Sequence, residues 1–523
     1  MQLWRTLVRH FFTGFDANVT QTLGLLAVPG AFFVLVFQPL LFRDWDLVGV
    51  RYLFISLSMI LMGIVVVVKW DALFPDRRDY VILTPLPVPL GILFSAKAAA
   101  LAILLAIFLV DANFFSTFFW PGIDGGTGAL SILGAHIAAT VAAGVFSALA
   151  MVTLQGVLLL LFSGRMLRRV SALAQTLLMT VLVMLFFLSP LLGMHVRDLA
   201  HRPGTLAYWF PGYWFVGFYE RLRPATGNAA LLHLGHVAVR ALGCVSALFA
   251  IVYLAGYRRH AQRVLETPEP SAAGVARRGL ERAIDRLLLR GPVERAVFHF
   301  IGQTIVRSVR HRLFLAVYAG FGASLAVLSY GGEQAGLLRL PFTLSFILVS
   351  GLRAAFNFPC ELGANWMFRV SESNWTRECA SATRKWVLGC GIVPLFLLFA
   401  PMELSSFRWP AALFHLAFGI ALSAFLSELL FAGFRKVPFT CSYLPGKVNV
   451  VGLSALYIFG FTLYSRTMAS IEEWLVGSPA AALGFFAVAA VAWMAVVRRP
   501  EEKAPIEFED TGEPAVRTLE IEA

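Results

Sequence analysis

The sequence has little charge for its length, and this scarcity already excludes a class of protein. Only 14% of the 523 residues are charged, whereas about 25% are charged in an average soluble domain. The hydrophobic share is 58%, and the mean hydropathy is +0.74. A soluble domain of this length cannot build a core large enough to bury so much apolar surface. We therefore exclude a water-soluble globular protein.

Cysteine is also scarce, and the motifs of several enzyme classes are missing. The five cysteines form no Cys-x-x-Cys pair, so the sequence predicts neither a disulfide framework nor a zinc site. No GxxxxGK[ST] phosphate loop occurs, and HExxH and GxSxG are absent as well. We therefore expect no enzyme activity, no cofactor and no metal in this chain. Any ATPase that acts with it must be a separate subunit.

What the sequence does contain is a series of apolar runs, each near the roughly 20 residues that cross a bilayer. Twelve such runs are predicted to be transmembrane helices, and the long fourth run either extends beyond the membrane or breaks at one of its glycines. The runs are 23–42, 52–68, 90–110, 129–162, 171–193, 231–255, 313–330, 337–357, 386–402, 410–433, 448–465 and 478–497. The predicted fold class is an all-α polytopic membrane protein.

The basic residues indicate which segments face the cytoplasm. The net charge is +12, which in a membrane protein is typical of cytoplasmic loops and anionic lipid headgroups rather than of nucleic-acid binding. With both termini inside, 32 Lys and Arg fall in cytoplasmic segments and 9 in external ones. We expect cytoplasmic termini and membrane lipids as partners. The expected location is the bacterial inner membrane.

The hydropathy pattern repeats, which predicts two six-helix pseudo-repeats, each preceded by an interfacial amphipathic helix. The first interfacial helix opens the chain, and the second covers Glu294 to Arg312. The predicted domains are a first membrane half (1–256), a basic cytoplasmic linker (257–292), a second membrane half (293–497) and a disordered cytoplasmic tail (498–523).

Two charged cytoplasmic segments occupy corresponding places in the two halves, after the second span of each. A short helix capped by Asp76 is predicted in the first, before Pro85. Mixed charges with embedded aromatics suit a protein docking surface, and an ordinary solvated loop is the alternative. The docking candidates are Asp76, Arg77, Arg78, Asp79, Glu372, Arg377 and Glu378.

Taken together, this organisation resembles a type 2 ATP-binding-cassette (ABC) exporter permease with two halves fused in one chain. The stretch Phe74 to Val88 resembles the coupling segment of such permeases, and residues 194–230 resemble their external re-entrant element, with Trp209, Pro211 and Trp214 near its centre. The resemblance implies outward transport of an amphipathic or lipid-like substrate. It also implies a cytoplasmic ABC ATPase dimer as partner, docked at 71–85 and 361–385. The external piece of the second half is much shorter than that of the first.

Three charges lie within or beside predicted spans, where an ionisable group is expensive to bury. These are Arg240, Arg353 and Glu428; we expect structural pairs between helices, with substrate contact as the alternative. Asp44 and Asp46 are interpreted as loop residues, and a catalytic role for them is the alternative. Two other functions stay open, namely a polytopic glycosyl- or acyl-transferase and an ion-coupled secondary transporter. The segment Arg435 to Lys447 has no assigned role.

Overall fold

The chain forms long apolar α-helices. A computed structural model describes residues 2–15, 27–37, 46–73, 89–194, 209–223, 229–264, 282, 284–286, 288–330, 334–360, 368, 376–432, 434–441, 457, 459–497 and 506. Within these ranges there is no β-strand, and nine helices are long and apolar enough to cross a membrane. The all-α polytopic membrane fold is therefore confirmed. The predicted spans 23–42 and 448–465 lie partly outside the described residues.

The chain divides into two units, Met1–Pro270 and Ser271–Ala523. In chain order the helices of the first unit are α1 (Gln2–Phe15), α2 (Leu47–Val68), α3 (Leu90–Asp124), α4 (Ala129–Leu161), α5 (Gly164–Met194), α6 (Pro211–Leu222) and α7 (Ala229–Val264).

Helix α2 forms the centre of the first unit, because 18 of its 22 residues are buried. Helix α4 crosses close to α2 and α3 at Gly144, where a Cβ would collide with Leu109 and touch Ser58. Small residues allow such close approach between membrane helices. At the same crossing the Ser58 hydroxyl donates to Thr140 O (2.9 Å) and Asn113 Nδ2 donates to Ser58 Oγ (2.9 Å). Packing and interhelical hydrogen bonds therefore hold these three helices together.

The carboxyl end of α2 is completed by side chains from two other helices. Gln155 Nε2 donates to Trp70 O at 2.6 Å, and Gln175 Nε2 donates to Val67 O at 3.0 Å. Carbonyls at a helix end have no partner in their own helix, and inside a membrane an unsatisfied carbonyl is costly. These two glutamines therefore have a structural role.

Helix α1 packs on the start of α3 as an amphipathic helix. Leu7 and Phe11 are buried, and Arg5 and Arg9 are exposed. The Trp4 indole donates to Ser95 Oγ (3.2 Å), and the ammonium of Lys97 lies 4.6 Å from the Phe11 ring centroid. The helix thus presents an apolar face to α3 and a basic face outward, which is the arrangement of an interfacial helix.

The second unit repeats long apolar helices. Its helices are α8 (Pro292–Arg307), α9 (Val309–Tyr330), α10 (Gln334–Ala355), α11 (Thr376–Trp386), α12 (Val393–Ser406), α13 (Trp409–Leu430), α14 (Met468–Val476) and α15 (Pro479–Val497). A π-helical turn, Val387–Ile392, joins α11 to α12, so residues Thr376–Ser406 run as one helix.

Several predicted boundaries need correction. Of the two alternatives for the fourth run, the structure has the unbroken one, because Ala129–Leu161 is a single helix. The third run continues to Asp124, well past its predicted end at 110, and the second begins at Leu47 rather than at 52. The two extended helices each include a charged residue that the sequence places in a loop, Arg51 in α2 and Asp124 in α3, and both side chains are buried.

Candidate functional site

The docking candidates are only partly described by the structure. Asp76, Arg77, Arg78, Asp79 and Glu372 lie outside the described residues. Arg377 and Glu378 are exposed in the first turn of α11. Their role in docking stays a prediction.

The three charged residues predicted within or beside spans have different surroundings. Glu428 pairs with Arg384, with 3.1 Å between Oε2 and Nε. Arg353 donates to Leu430 O (3.1 Å) and Asn357 Oδ1 (3.1 Å), and its guanidinium lies 4.7 Å from the Phe434 ring centroid. Arg240 is exposed on α7. Glu428 and Arg353 thus join elements of the second unit, as a structural role requires.

The aromatic residues of the predicted external element surround the start of α6. Trp209 is 79% exposed, whereas Pro211 is the first residue of α6. Trp214 lies in edge-to-face contact with Phe146 of α4, with ring centroids 6.0 Å apart. Helix α6 is therefore anchored to the spanning helices rather than extended away from them.

A cluster of four charged residues, three of them buried and Arg223 partly exposed, lies where α2 begins and α3 ends, and we term it the first cluster. Arg51 Nη2 is 2.8 Å from Asp124 Oδ2, and Arg51 Nη1 is 3.5 Å from Glu220 Oε2 of α6. Arg223 Nη1 lies 3.6 Å from the other oxygen of Asp124. The side chains of Arg51, Asp124 and Glu220 are 3%, 5% and 1% exposed. Two cations face two carboxylates, so the cluster has no net formal charge.

Aromatic residues enclose the first cluster. The Arg51 guanidinium lies 4.4 Å from the Tyr219 ring centroid, and the Tyr219 hydroxyl donates to Asp124 Oδ2 at 3.2 Å. Trp120 stacks on His136 with ring centroids 4.6 Å apart. This packing excludes water, and in such a site an ion pair is strong only while both partners are present.

Two glycines let α6 approach α7 closely enough to place Glu220 in the cluster. A Cβ on Gly217 would collide with the backbone of Leu231 and Gly235, and a Cβ on Gly235 would collide with the backbone of Gly217. The neighbouring atoms belong to the backbone, so no side-chain rotation can relieve these contacts. The position of Glu220 therefore depends on residues without a side chain at both positions.

The second unit contains a buried cluster of different composition, the second cluster, made of Glu403, His415 and Glu472. His415 Nδ1 lies 2.6 Å from Glu472 Oε1, and His415 Nε2 lies 3.4 Å from Glu403 Oε1. The three side chains are 1–2% exposed. Among the described residues no group of His, Cys, Asp and Glu is arranged to hold a metal ion. The second cluster is a row of three titratable groups, with the imidazole of His415 between the two carboxylates.

The two clusters occupy comparable places in their units. Asp124 ends α3 and Glu403 lies in the last turn of α12, each within three residues of a proline, Pro121 or Pro401. His136 and His415 lie in the second turn of the following helix. Glu220 and Glu472 are carried by short helices, α6 and α14, that precede the next long apolar helix, α7 or α15.

At the opposite end of α11–α12, a further carboxylate joins α8 to α11. Glu294 accepts hydrogen bonds from Lys385 Nζ, Ser381 Oγ and the Arg290 N–H, each at 2.6 Å. Burial by itself raises the pKa of the Glu294 carboxyl, but these hydrogen bonds and the charge of Lys385 outweigh burial and lower this pKa below its ordinary value. Glu294 is therefore an ionised carboxylate that clamps the two helices together.

The described part of the segment 435–447 packs against the same end of the second unit. Phe439 has a positive φ of 66°, and its ring contacts His311 and Phe356, with centroids 4.6 and 5.0 Å away. Backbone hydrogen bonds join Phe439 N to Phe356 O (3.0 Å) and Cys360 N to Phe439 O (2.9 Å). This turn thus fastens the end of α13 to the end of α10.

Sequence reasoning missed both clusters. No motif marks them, because their members are far apart along the chain; Arg51 and Glu220, for example, are separated by 169 residues. A usable signal did exist, since Arg51 and Glu403 each stand one residue outside a predicted span. An ionisable residue at such a boundary is worth treating as part of the helix.

No family model, curated protein or solved structure matches this chain. The function is therefore inferred from the geometry of the two units.

Proposed function

We propose that this chain is the transmembrane permease subunit of an ABC exporter, which moves an amphipathic or lipid-like substrate outward and is driven by separate ATPase subunits. Its twelve spans would form two six-helix pseudo-repeats in the bacterial inner membrane, with both termini in the cytoplasm. The ATPases would dock at residues 71–85 and 361–385.

One observation carries this proposal: in each unit a single long helix leads from the predicted docking segment to the buried cluster. Helix α3 begins at Leu90, just after residues 71–85, and ends at Asp124. The helix Thr376–Ser406 begins within residues 361–385 and carries Glu403 in its last turn. At 1.5 Å per residue, a helix of this length spans on the order of 45 Å. A displacement at the docking end is thereby transmitted to the cluster at the other end.

The short helices α6 and α14 support the same proposal. Each precedes a long apolar helix and contributes a buried glutamate, Glu220 or Glu472, to its cluster. A permease of the type 2 class is expected to have a re-entrant element at this position. Moving the end of α3 or α12 would loosen the glutamate of the short helix, and this would open that end of the unit.

The docking part of the proposal is tested by charge reversal. Arg77→Glu together with Arg78→Glu should leave membrane insertion intact and lower both ATPase association and transport, because like charges at an interface can cost several kcal/mol. Arg168→Glu with Arg169→Glu is the matched control, since these adjacent arginines are exposed and lie on the same predicted side. Unchanged ATPase association in the Arg77/Arg78 variant would contradict docking at this segment.

The predicted orientation is tested by labelling from outside the cell. In a background without the five native cysteines, single cysteines at positions 270 and 375 should resist a membrane-impermeant thiol reagent. A cysteine at position 203 should react. Efficient labelling at 270 or 375 would contradict the cytoplasmic placement of these segments.

An ion-coupled secondary transporter is the second candidate, and the second cluster is the observation that favours it. Chains of Asp, Glu and His within transmembrane segments are typical of proton relays in pumps and transporters. Proteoliposomes that contain this chain alone distinguish the two. Transport driven by a pH gradient without an ATPase would support the second candidate, and no transport until the ATPase and ATP are added would support the first.

A further inference from the structure

The hydrogen-bonding groups of the second cluster are incompletely matched. Both carboxylate oxygens of Glu403, His415 Nε2 and Glu472 Oε2 are buried without a hydrogen bond from the described residues. A buried polar atom without a partner is costly and uncommon. The second cluster therefore needs a hydrogen-bonding partner that its three side chains do not supply.

The three side chains lack one hydrogen between His415 Nε2 and Glu403 Oε1. A neutral imidazole has one N–H, and when Glu472 is ionised the 2.6 Å contact between His415 Nδ1 and Glu472 Oε1 uses this hydrogen. His415 Nε2 and Glu403 Oε1, 3.4 Å apart, would then face each other as two acceptors. One more hydrogen on either atom converts this repulsion into an attraction.

The charges of the second cluster are also unbalanced. With both carboxylates ionised and the imidazole neutral, the second cluster carries two buried negative charges, and burial strongly disfavours such a state. Glu403, His415 and Glu472 form no ion pair with Lys or Arg among the described residues. The described residues therefore supply no compensating positive charge to these two carboxylates.

The elements packed around His415 offer no compensating cation within the described part of the chain. Helix α10 presents the Phe342 ring, 5.2 Å from the imidazole, and its Arg339 makes no ion pair there. Helix α15 has no ionisable residue. The remaining titratable or charged groups on these elements are the exposed Arg408 and Cys390, Glu428 paired with Arg384, and Arg353 bound to Leu430 O and Asn357. The π-helical segment Leu463–Thr467, which leads into α14, adds Tyr464, whose hydroxyl is hydrogen-bonded to the hydroxyls of Ser345 and Ser423. The side chains of Arg466 and Glu473 lie outside the described residues.

We infer that Glu403, His415 and Glu472 form a proton-binding site, in which one exchangeable proton is held between Glu403 Oε1 and His415 Nε2. The inference goes beyond the proposed function and holds whether ATP or an ion gradient drives transport. When the end of α12 or α14 moves and water enters, the O–H or N–H bond breaks and the proton passes to water. The carboxylate and the neutral imidazole that remain are then hydrated.

The first test is the pH dependence of stability. A proton bound in the folded state and absent from the unfolded state stabilises the fold at lower pH, and this stabilisation is lost as the pH rises. We expect the melting temperature of the purified full-length chain in lipid nanodiscs to fall from neutral to alkaline pH. Glu403→Gln, which resembles a protonated carboxyl, should remove this fall, whereas Glu378→Gln, an exposed control, should retain it.

The second test locates the proton, and its first measurement uses the wild-type chain alone. Infrared spectra of the wild-type chain at neutral and alkaline pH should differ in the C=O band of a protonated carboxyl or in the ring bands of an imidazolium, with a shift in D₂O. Glu403→Gln should lose the carboxyl band and His415→Asn the imidazolium bands. A wild-type spectrum with neither signal would overturn the inference.

A bound metal or organic cation is the competing occupant. Titration with Na⁺ and with a small alkylammonium salt at neutral pH should leave the infrared bands and the melting temperature unchanged. Replacement of the proton bands by either cation at millimolar concentration would overturn the proton assignment.

Discussion

The two buried clusters differ in how their charges are compensated. In the first cluster Arg51 and Arg223 face Asp124 and Glu220, so the chain's own arginine side chains compensate both carboxylates. In the second cluster one imidazole lies between two carboxylates. The difference teaches that comparable positions in two helical units can hold either arginine–carboxylate ion pairs, which stay charged, or a histidine between two carboxylates, whose charges depend on pH. Substitutions should therefore affect the two clusters to different extents.

The largest effect is expected for Arg51→Met. Removing this guanidinium leaves Asp124 and Glu220 buried with one partner fewer, and breaking a buried pair in this way costs about 3–5 kcal/mol. Thermal unfolding of the purified chain, followed by circular dichroism, measures the loss. The triple variant Arg51→Met, Asp124→Asn, Glu220→Gln should recover part of it, because both buried carboxylates are then neutral and the charge that remains is on Arg223, whose side chain is 20% exposed. An unchanged melting temperature for Arg51→Met would contradict the role of the first cluster.

A smaller effect is expected for Gly217→Ala, which changes no charge. The added Cβ collides with the backbone of α7, and overpacking of this kind costs about 1–3 kcal/mol. The displaced α6 should also carry Glu220 away from Arg51. Gly243→Ala is the control, since nothing lies within 4 Å of a Cβ at that position of α7. Equal melting temperatures for the two variants would show that the close approach of α6 and α7 is not required.

The comparison becomes sharper when the two glutamates of the short helices are neutralised in parallel. Glu220→Gln breaks an ion pair, whereas Glu472→Gln removes excess negative charge and keeps a group that can hydrogen-bond to His415. We expect Glu472→Gln to cost no more than about 1.5 kcal/mol, the scale of one hydrogen bond, and Glu220→Gln to cost more. Melting temperatures measured side by side decide, and a reversed order would contradict the difference in charge compensation.

The smallest effect, with the opposite pH sign, is expected at Glu294. Its pKa is lowered in the folded state, so its contribution to stability is present above the unfolded pKa and is lost as the pH falls through the folded pKa. Glu294→Gln should flatten the acidic side of the stability profile and leave the alkaline side unchanged. Melting curves from acidic to alkaline pH measure this, and an unaltered acidic side would contradict the clamp between Glu294 and Lys385.

The sequence allows the membrane class and most spanning helices to be predicted, because hydropathy acts locally along the chain. The clusters could not be predicted, because the groups that compensate each charge are distant in sequence. Arg51 precedes the predicted span 52–68 and is a loop charge by hydropathy, yet α2 begins at Leu47 and buries it at 3% exposure. Asp124 lies beyond the predicted span 90–110, and the same compensation extends α3 to include it.

The predicted docking surface of the second unit includes the exposed start of α11. Arg377 and Glu378 are exposed at the start of α11, as docking residues must be. An exposed charged turn is also what an ordinary solvated loop provides. A docking segment should move with a bound ATPase and displace the helix Thr376–Ser406, whereas a solvated loop should not.

Native mass spectrometry of the detergent-extracted complex tests the central claim most directly. If one chain supplies both docking segments, it should be recovered with two copies of a subunit that contains an ATP-binding phosphate loop. Such a complex should hydrolyse ATP, and the Arg77→Glu, Arg78→Glu variant should yield the chain without its ATPases. A stable assembly of two permease chains with two ATPases, or transport by the chain with no ATPase present, would contradict the account.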